Sequence, residues 1–281
     1  MINSTIETTG LSLASAVTWG GGDFAGGLAA KRASVFRVVA IAHAFGFVAM
    51  LALAFLSREA VPPAADLWWG GAAGIAGAFG IAALYEALAI GRMGVVAPVA
   101  SVVTGVLPVL VGIRTEGMPD RLQLLGFVLA LVSVWLVARP SEHIDSHRGL
   151  GLAALSGVMF GLFLIAGKQA GHHGVFWPMV AARGASTTLM CIIVALSPRD
   201  ARPLRPVLWA MVMSGLLDSA GNALFIAATR HGRLDVAAVL SSLYPASTVV
   251  LARVLLKERI SKMQSVGIVG ALASVALISS R

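Results

Sequence analysis

Long stretches without a charged residue restrict the fold of this chain more than any other feature. Residues 95–113 (VVAPVASVVTGVLPVLVGI) and 263–280 (MQSVGIVGALASVALISS) contain no Asp, Glu, Lys or Arg, and residues 38–57 carry only His43. A helix needs about 20 apolar residues to cross roughly 30 Å of hydrocarbon, and these runs have that length. Lipid offers no partners for backbone N–H and C=O groups, so spanning segments must be helices or a closed barrel. The period-2 alternation of a barrel is absent, which leaves an all-α polytopic membrane protein. Composition agrees: 58% of residues are hydrophobic and 12% charged, against about 45–50% and about 25% in soluble domains. The net charge of +8 fits loop ends beside anionic headgroups and gives no reason to expect nucleic acid as a partner. A lone cysteine, Cys191, excludes an internal disulfide and a Cys-based metal site.

The pattern predicts ten helices at about 10–30, 35–56, 67–90, 95–113, 122–138, 149–170, 175–196, 206–229, 235–256 and 263–279. Connections are short, so consecutive helices are expected to run antiparallel. The start, MINSTIETT, lacks the basic region of a secretory signal, so the first helix is expected to be retained. The most polar stretch, residues 139–148, reads as a linker between a first five-helix repeat, 1–138, and a second, 149–281. At an offset of 141, Leu67-Trp68 matches Leu208-Trp209, Gly91-Arg92 matches Gly232-Arg233, and Ser101, Gln123 and Gly126 match Ser242, Gln264 and Gly267. Ala83-Leu84 matches Ala223-Leu224 at an offset of 140. Five is odd, so a duplicated unit enters the membrane from opposite sides. That is an inverted repeat, the architecture of many secondary transporters with a midplane site. Gly22/Gly26, Gly70/Gly74, Gly157/Gly161 and Gly167/Gly171 have the spacing of close helix contacts.

Ionisable groups at membrane depth cost roughly 2.5–3.5 kcal/mol each on insertion scales, so each is a functional candidate. Asp23, Asp218, Arg183 and His43 fall within predicted helices, with Glu86 and Lys168 nearer helix ends. His43 and Arg183 are repeat equivalents at offset 140. Two readings of the charges compete: a structural pairing of Arg183 with Asp218 or Asp23, and a site for substrate or protons. Asn222 lies one turn from Asp218 on the same face. Trp19, Tyr85 and Tyr244 are aromatic candidates for stacking on a substrate, and Ser242 could offer its hydroxyl. Pro98 and Pro108 in the fourth helix and Pro245 in the ninth are expected to interrupt both helices and mark the gating region.

Beyond these groups, Thr18-Trp19-Gly20-Gly21-Gly22-Asp23-Phe24, the junction Leu84-Tyr85-Glu86-Ala87-Leu88-Ala89-Ile90-Gly91-Arg92-Met93-Gly94-Val95-Val96-Ala97-Pro98, and Ser241-Ser242-Leu243-Tyr244-Pro245-Ala246 with Lys257-Glu258-Arg259 resemble the EamA-like branch of the drug/metabolite transporter superfamily. The resemblance covers both halves. It implies ten helices in two inverted halves, a central cavity lined by helices 1–4 and 6–9, passage of small metabolites, and a bacterial cytoplasmic (inner) membrane location. Such proteins usually keep both termini cytoplasmic. The charge count points the other way, with seven basic residues on the terminus face and thirteen opposite.

The expectation is a multipass secondary transporter working by alternating access, with a small-molecule substrate, an amino acid or related zwitterion or cation. Coupling protons, no cofactor, no metal, and a monomer or homodimer complete it. An intramembrane protease is the alternative enzyme class: Gly20-Gly21-Gly22-Asp23 matches a GxGD element, but no Tyr-Asp partner exists. A channel or a lipid flippase would share the polar midplane. His143-x-Asp145-x-His147 reads as a solvated linker rather than a metal site, and no phosphate-binding loop suggests an ATPase.

Overall fold

A computed structural model describes residues 2–90, 93–137, 149–197, 205–255 and 261–278. Every regular element among them is helical: α1 (Ile2–Ala30), α2 (Val35–Leu56), α3 (Ala64–Ile90), α4 (Met93–Glu116), α5 (Arg121–Val137), α6 (Leu150–Ala170), α7 (Phe176–Leu196), α8 (Leu208–His231), α9 (Leu234–Ser241), α10 (Tyr244–Leu255) and α11 (Lys262–Ile278), with one 3₁₀ turn at Arg205–Val207. Six helices among the described residues are long and apolar enough to cross a membrane. Large apolar side chains such as Trp68 (80% exposed) and Leu196 (83%) face outward, as a lipid-facing surface allows. The first helix begins eight residues earlier than its apolar run, because the polar stretch from Ile2 continues the same helix.

The expected ninth helix is two helices. Ser242 and Leu243 separate α9 from α10, and Pro245 occupies the second position of α10. Proline lacks an N–H and fixes φ near a helical value, so it suits a first turn and disrupts an interior. The expectation of a matching break in the first half is corrected. α4 runs unbroken through Pro98 and Pro108, since packed neighbours can absorb the lost backbone bonds.

Packing follows the repeat. The heaviest contacts pair α1 with α8, α3 with α6, α2 with α7 and α5 with α11. Exchanging the halves maps the first two pairs onto each other and the last two onto themselves. Individual bonds repeat too. Ser15 Oγ donates to the Gly221 carbonyl at 2.8 Å, and Ser156 Oγ, 141 positions on, donates to the Gly80 carbonyl at 2.8 Å. Gly74 lies so close to the Ala182 carbonyl that a Cβ would overlap it, and Gly215 stands in the same relation to the Ala42 carbonyl. Close crossings of this kind need small residues.

The matched glutamines start equivalent helices. The Asp120 N–H donates to Gln123 Oε1 at 3.4 Å while Asp120 Oδ1 accepts from Leu122 and Gln123 N–H groups at 2.6 and 3.3 Å. In the second half the Ser261 N–H donates to Gln264 Oε1 at 2.9 Å and Ser261 Oγ accepts from Gln264 N–H at 3.2 Å. Both are reciprocal caps for α5 and α11.

Candidate functional site

Between the α1–α8 pair and the α3–α6 pair lies a cavity with about 610 Å³ of empty space, part of it open to the outside. Trp19, Asp23, His43, Arg183, Asp218, Asn222 and Tyr244 all line it, together with Gly77, Ile81, Thr104, Phe160, Phe163 and Leu164. Helical period places Trp19 and Asp23 on one face of α1, and Asp218 and Asn222 on the facing stripe of α8.

Its polar groups are ordered by a few bonds. Arg183 Nη2 donates to Asp218 Oδ2 at 2.5 Å, and His43 Nε2 lies 3.8 Å from the same oxygen. Arg183 Nε and His43 Nδ1 are buried without a hydrogen-bond partner. Trp19 Nε1 donates to Asn222 Oδ1 at 2.7 Å, and the indole meets Tyr244 edge-on at 6.5 Å between centroids. Asp23 makes no ion pair or hydrogen bond among the described residues. Asp218 is committed to Arg183, so the two aspartates do not form the shared-proton pair that an aspartyl protease requires.

Other candidates lie elsewhere. Tyr85 lines a narrow adjoining crevice with Ser214, and His43 and Asp218 border both spaces. Glu86 is exposed and lines neither. Ser242 is buried, with Oγ donating to the Val239 carbonyl at 2.8 Å, while its own carbonyl accepts from Ser101 Oγ at 2.9 Å. Pro245 is buried beside the α9–α10 break. The environment of the Pro98 side chain and the His143–His147 segment lie outside the described residues. No group of three metal-ligating side chains occurs among the described residues.

Nothing in the residue order warned of the fastening at one end of the bundle. Glu59, in the α2–α3 connection, accepts from the backbone N–H groups of Val175, Phe176 and Trp177 at 2.9, 2.9 and 3.0 Å, capping α7. Asp66 accepts from His173 N and Nδ1 at 3.1 and 3.0 Å. Glu116 pairs with Lys168 and accepts from Leu234 N–H at 3.0 Å. Arg233 grips Asp235 and donates to the Glu116 and Gly117 carbonyls at 3.0 and 2.7 Å. Its bond to Asp235 holds the Arg233 guanidinium pKa above its ordinary value. Three of these acids belong to the first half, and all of their partners named here to the second. Chain position alone could not show which loops meet. The apolar wall of the cavity was also missed, although Phe160 is the repeat equivalent of Trp19 and could have been found that way.

An all-helical integral membrane protein with a charged central cavity is the class that this fold and site define. The EamA-like transporter family model matches residues 9–139 and again 147–280. The chain belongs to that family, whose members are membrane transporters of the drug/metabolite transporter superfamily and not enzymes. No curated protein matches at the sequence level. One solved crystal structure superposes with a TM-score of 0.76 at 18% identity, covering 96% of this chain and 95% of that one, which shows the shared fold alone.

Proposed function

We propose that this protein is a secondary transporter that carries a small metabolite, an amino acid or a related zwitterion or cation, through the central cavity by alternating access. The observation that carries the reading is the placement of Asp23, Arg183 and Asp218 around one cavity between two symmetry-related helix pairs. Charges buried at membrane depth are costly, and where they occur they mark substrate or ion pathways. Ten passes in two inverted halves would let one half rock against the other about this site. Asp23 is the group that could exchange a proton for substrate, because no cation among the described residues holds it in one protonation state. We place the protein in the bacterial cytoplasmic membrane, acting as a monomer or homodimer.

The test is a thermal-shift ligand screen on purified protein, then counterflow in liposomes with and without a pH gradient. Saturable accumulation that is lost in the Arg183→Ala, Asp218→Asn double variant supports the proposal. Flux that rises linearly with concentration indicates a channel instead. Normal accumulation in the double variant removes the site.

A further inference from the structure

The two repeats have diverged where they face the cavity. At an offset of 141, Asp23 corresponds to Leu164, Asp218 to Gly77, Asn222 to Ile81 and Trp19 to Phe160. All eight residues line the same space. The α1–α8 wall therefore carries two carboxylates and an amide beside Trp19, while the symmetry-related α6–α3 wall carries a leucine, an isoleucine and a glycine beside Phe160. A duplicated scaffold would give two like walls; this one is amphipathic. A ligand that fills it has a polar end and an apolar body.

The charges decide which polar end. Arg183 and Asp218 neutralise each other at 2.5 Å. Asp23 has no cationic partner among the described residues. With Asp23 ionised, as it is once it gives up its proton to admit a ligand, and His43 neutral, the lining groups sum to one negative charge in a largely apolar surround. A single positive charge balances it. A carboxylate reaching Arg183 would put a third negative charge around one guanidinium, with Asp218 already bound to it and Asp23 nearby. The aromatic rings of Trp19 and Tyr244 on the polar side add attraction for a cation over their faces.

We infer that the cavity selects amphipathic organic monocations, with the cationic nitrogen at Asp23 and the apolar body against Phe160, Ile81 and Leu164, and that it discriminates against amino-acid zwitterions and anions. This rests on the reading of the cavity as the transport site and narrows the substrate class. The test uses three probes of nearly equal body: phenethylamine (cation), phenylalanine (zwitterion) and phenylacetate (anion). Their affinities are measured on the purified full-length protein by isothermal calorimetry.

Phenethylamine is expected to bind at least tenfold more tightly than either of the others. Asp23→Asn is expected to remove that preference, and Phe160→Ala to weaken phenethylamine while leaving the preference intact. Equal or tighter binding of phenylalanine, binding of none of the three, or an unchanged preference in Asp23→Asn overturns the inference. The comparison among probes uses the native protein, so it stands even where a variant folds poorly. The parent reading fails separately: Asp23-dependent binding of the cation with no saturable flux in liposomes would sink transport and keep the site. Saturable flux of phenylalanine but not phenethylamine would do the reverse.

Discussion

Removing the Glu59 carboxylate is expected to loosen the fastened end of the bundle by a calculable amount. α7 has no side-chain cap of its own at Val175, and Glu59 supplies one from the opposite half through three N–H bonds of 2.9–3.0 Å. Loss of a helix cap costs about 0.5–2 kcal/mol, and net bonds to charged groups reach about 1.5–3 kcal/mol. Glu59 is only half-buried, so we take about 2 kcal/mol, a factor of about 30 at 1.36 kcal/mol per decade. Trp177 Nε1 still donates to the Glu59 carbonyl at 2.9 Å, and Phe55 still packs edge-on to Trp177, so Glu59→Ala removes the carboxylate and leaves the loop anchored. If the cap breaks whenever this end opens, the open fraction rises about 30-fold. Glu59→Gln keeps one acceptor oxygen and loses the charge, so a rise of about 5-fold is expected. The assay is labelling of a Thr104→Cys reporter in a Cys191→Ser background, because Thr104 is buried and lines the cavity and Cys191 is the native thiol. A membrane-impermeant maleimide is applied from the terminus face of proteoliposomes. Labelling within twofold of the parent, alongside a lowered melting temperature, would refute the reasoning: the cap would then hold the fold together and not a closed state.

Three further outcomes follow from packing and charge. Gly74→Ala and Gly215→Ala place a methyl group on a backbone carbonyl and should each destabilise by about 3 kcal/mol or more, the upper end of overpacking. Gly71→Ala meets nothing within 4 Å and should be neutral or slightly stabilising, all three being read by thermal unfolding in one detergent. Arg183→Ala strands the Asp218 carboxylate and should cost about 3 kcal/mol, whereas Arg183→Ala with Asp218→Asn should recover most of the lost melting temperature; no recovery would mean that the pair is not coupled. Arg233→Ala leaves Asp235, which is fully buried, without its guanidinium, and should cost about 3 kcal/mol, with Arg233→Lys only partly restoring it because a single ammonium cannot reproduce the two-pronged grip.

How much of this could be read from residues alone depended on range. Charge-free runs identified the helices because lipid imposes one requirement along the whole chain. The repeat was legible for a similar reason. Gln123 and Gln264 cap equivalent helices, and Ser101 and Ser242 meet each other, so each coincidence marked a retained local structure. Depth in the membrane singled out Asp23, Arg183 and Asp218, since few charges could be there without a reason. What helical periodicity cannot report is which neighbour a side chain meets. Glu86 differs from Tyr85 by one position, or about 100° around the helix, and one is exposed while the other is buried. Proline gave the least secure signal: Pro245 sits at a break, yet α4 continues through Pro98 and Pro108.

The same offset that revealed the duplication also separates framework from function. Where 141 positions relate residues at helix crossings, identities or roles are kept: Ser15 and Ser156 make the same bond, and Gly74 and Gly215 make the same close approach. Where the offset relates the polar residues facing the cavity to their counterparts, they differ in kind, carboxylates against leucine and glycine and amide against isoleucine, while the aromatic pair Trp19 and Phe160 is kept. Under the proposed alternating access crossings would have to stay alike, because a pseudo-symmetric rearrangement needs both halves to offer equivalent contacts before and after. The cavity would be free of that constraint if, as proposed, one ligand at a time lay across both walls. A site on a pseudo-two-fold axis with like walls would bind a symmetric ligand or hold an asymmetric one in two equivalent poses. Unlike walls allow one pose, and the unmatched carboxylate of Asp23 then fixes which end of the ligand points toward α1.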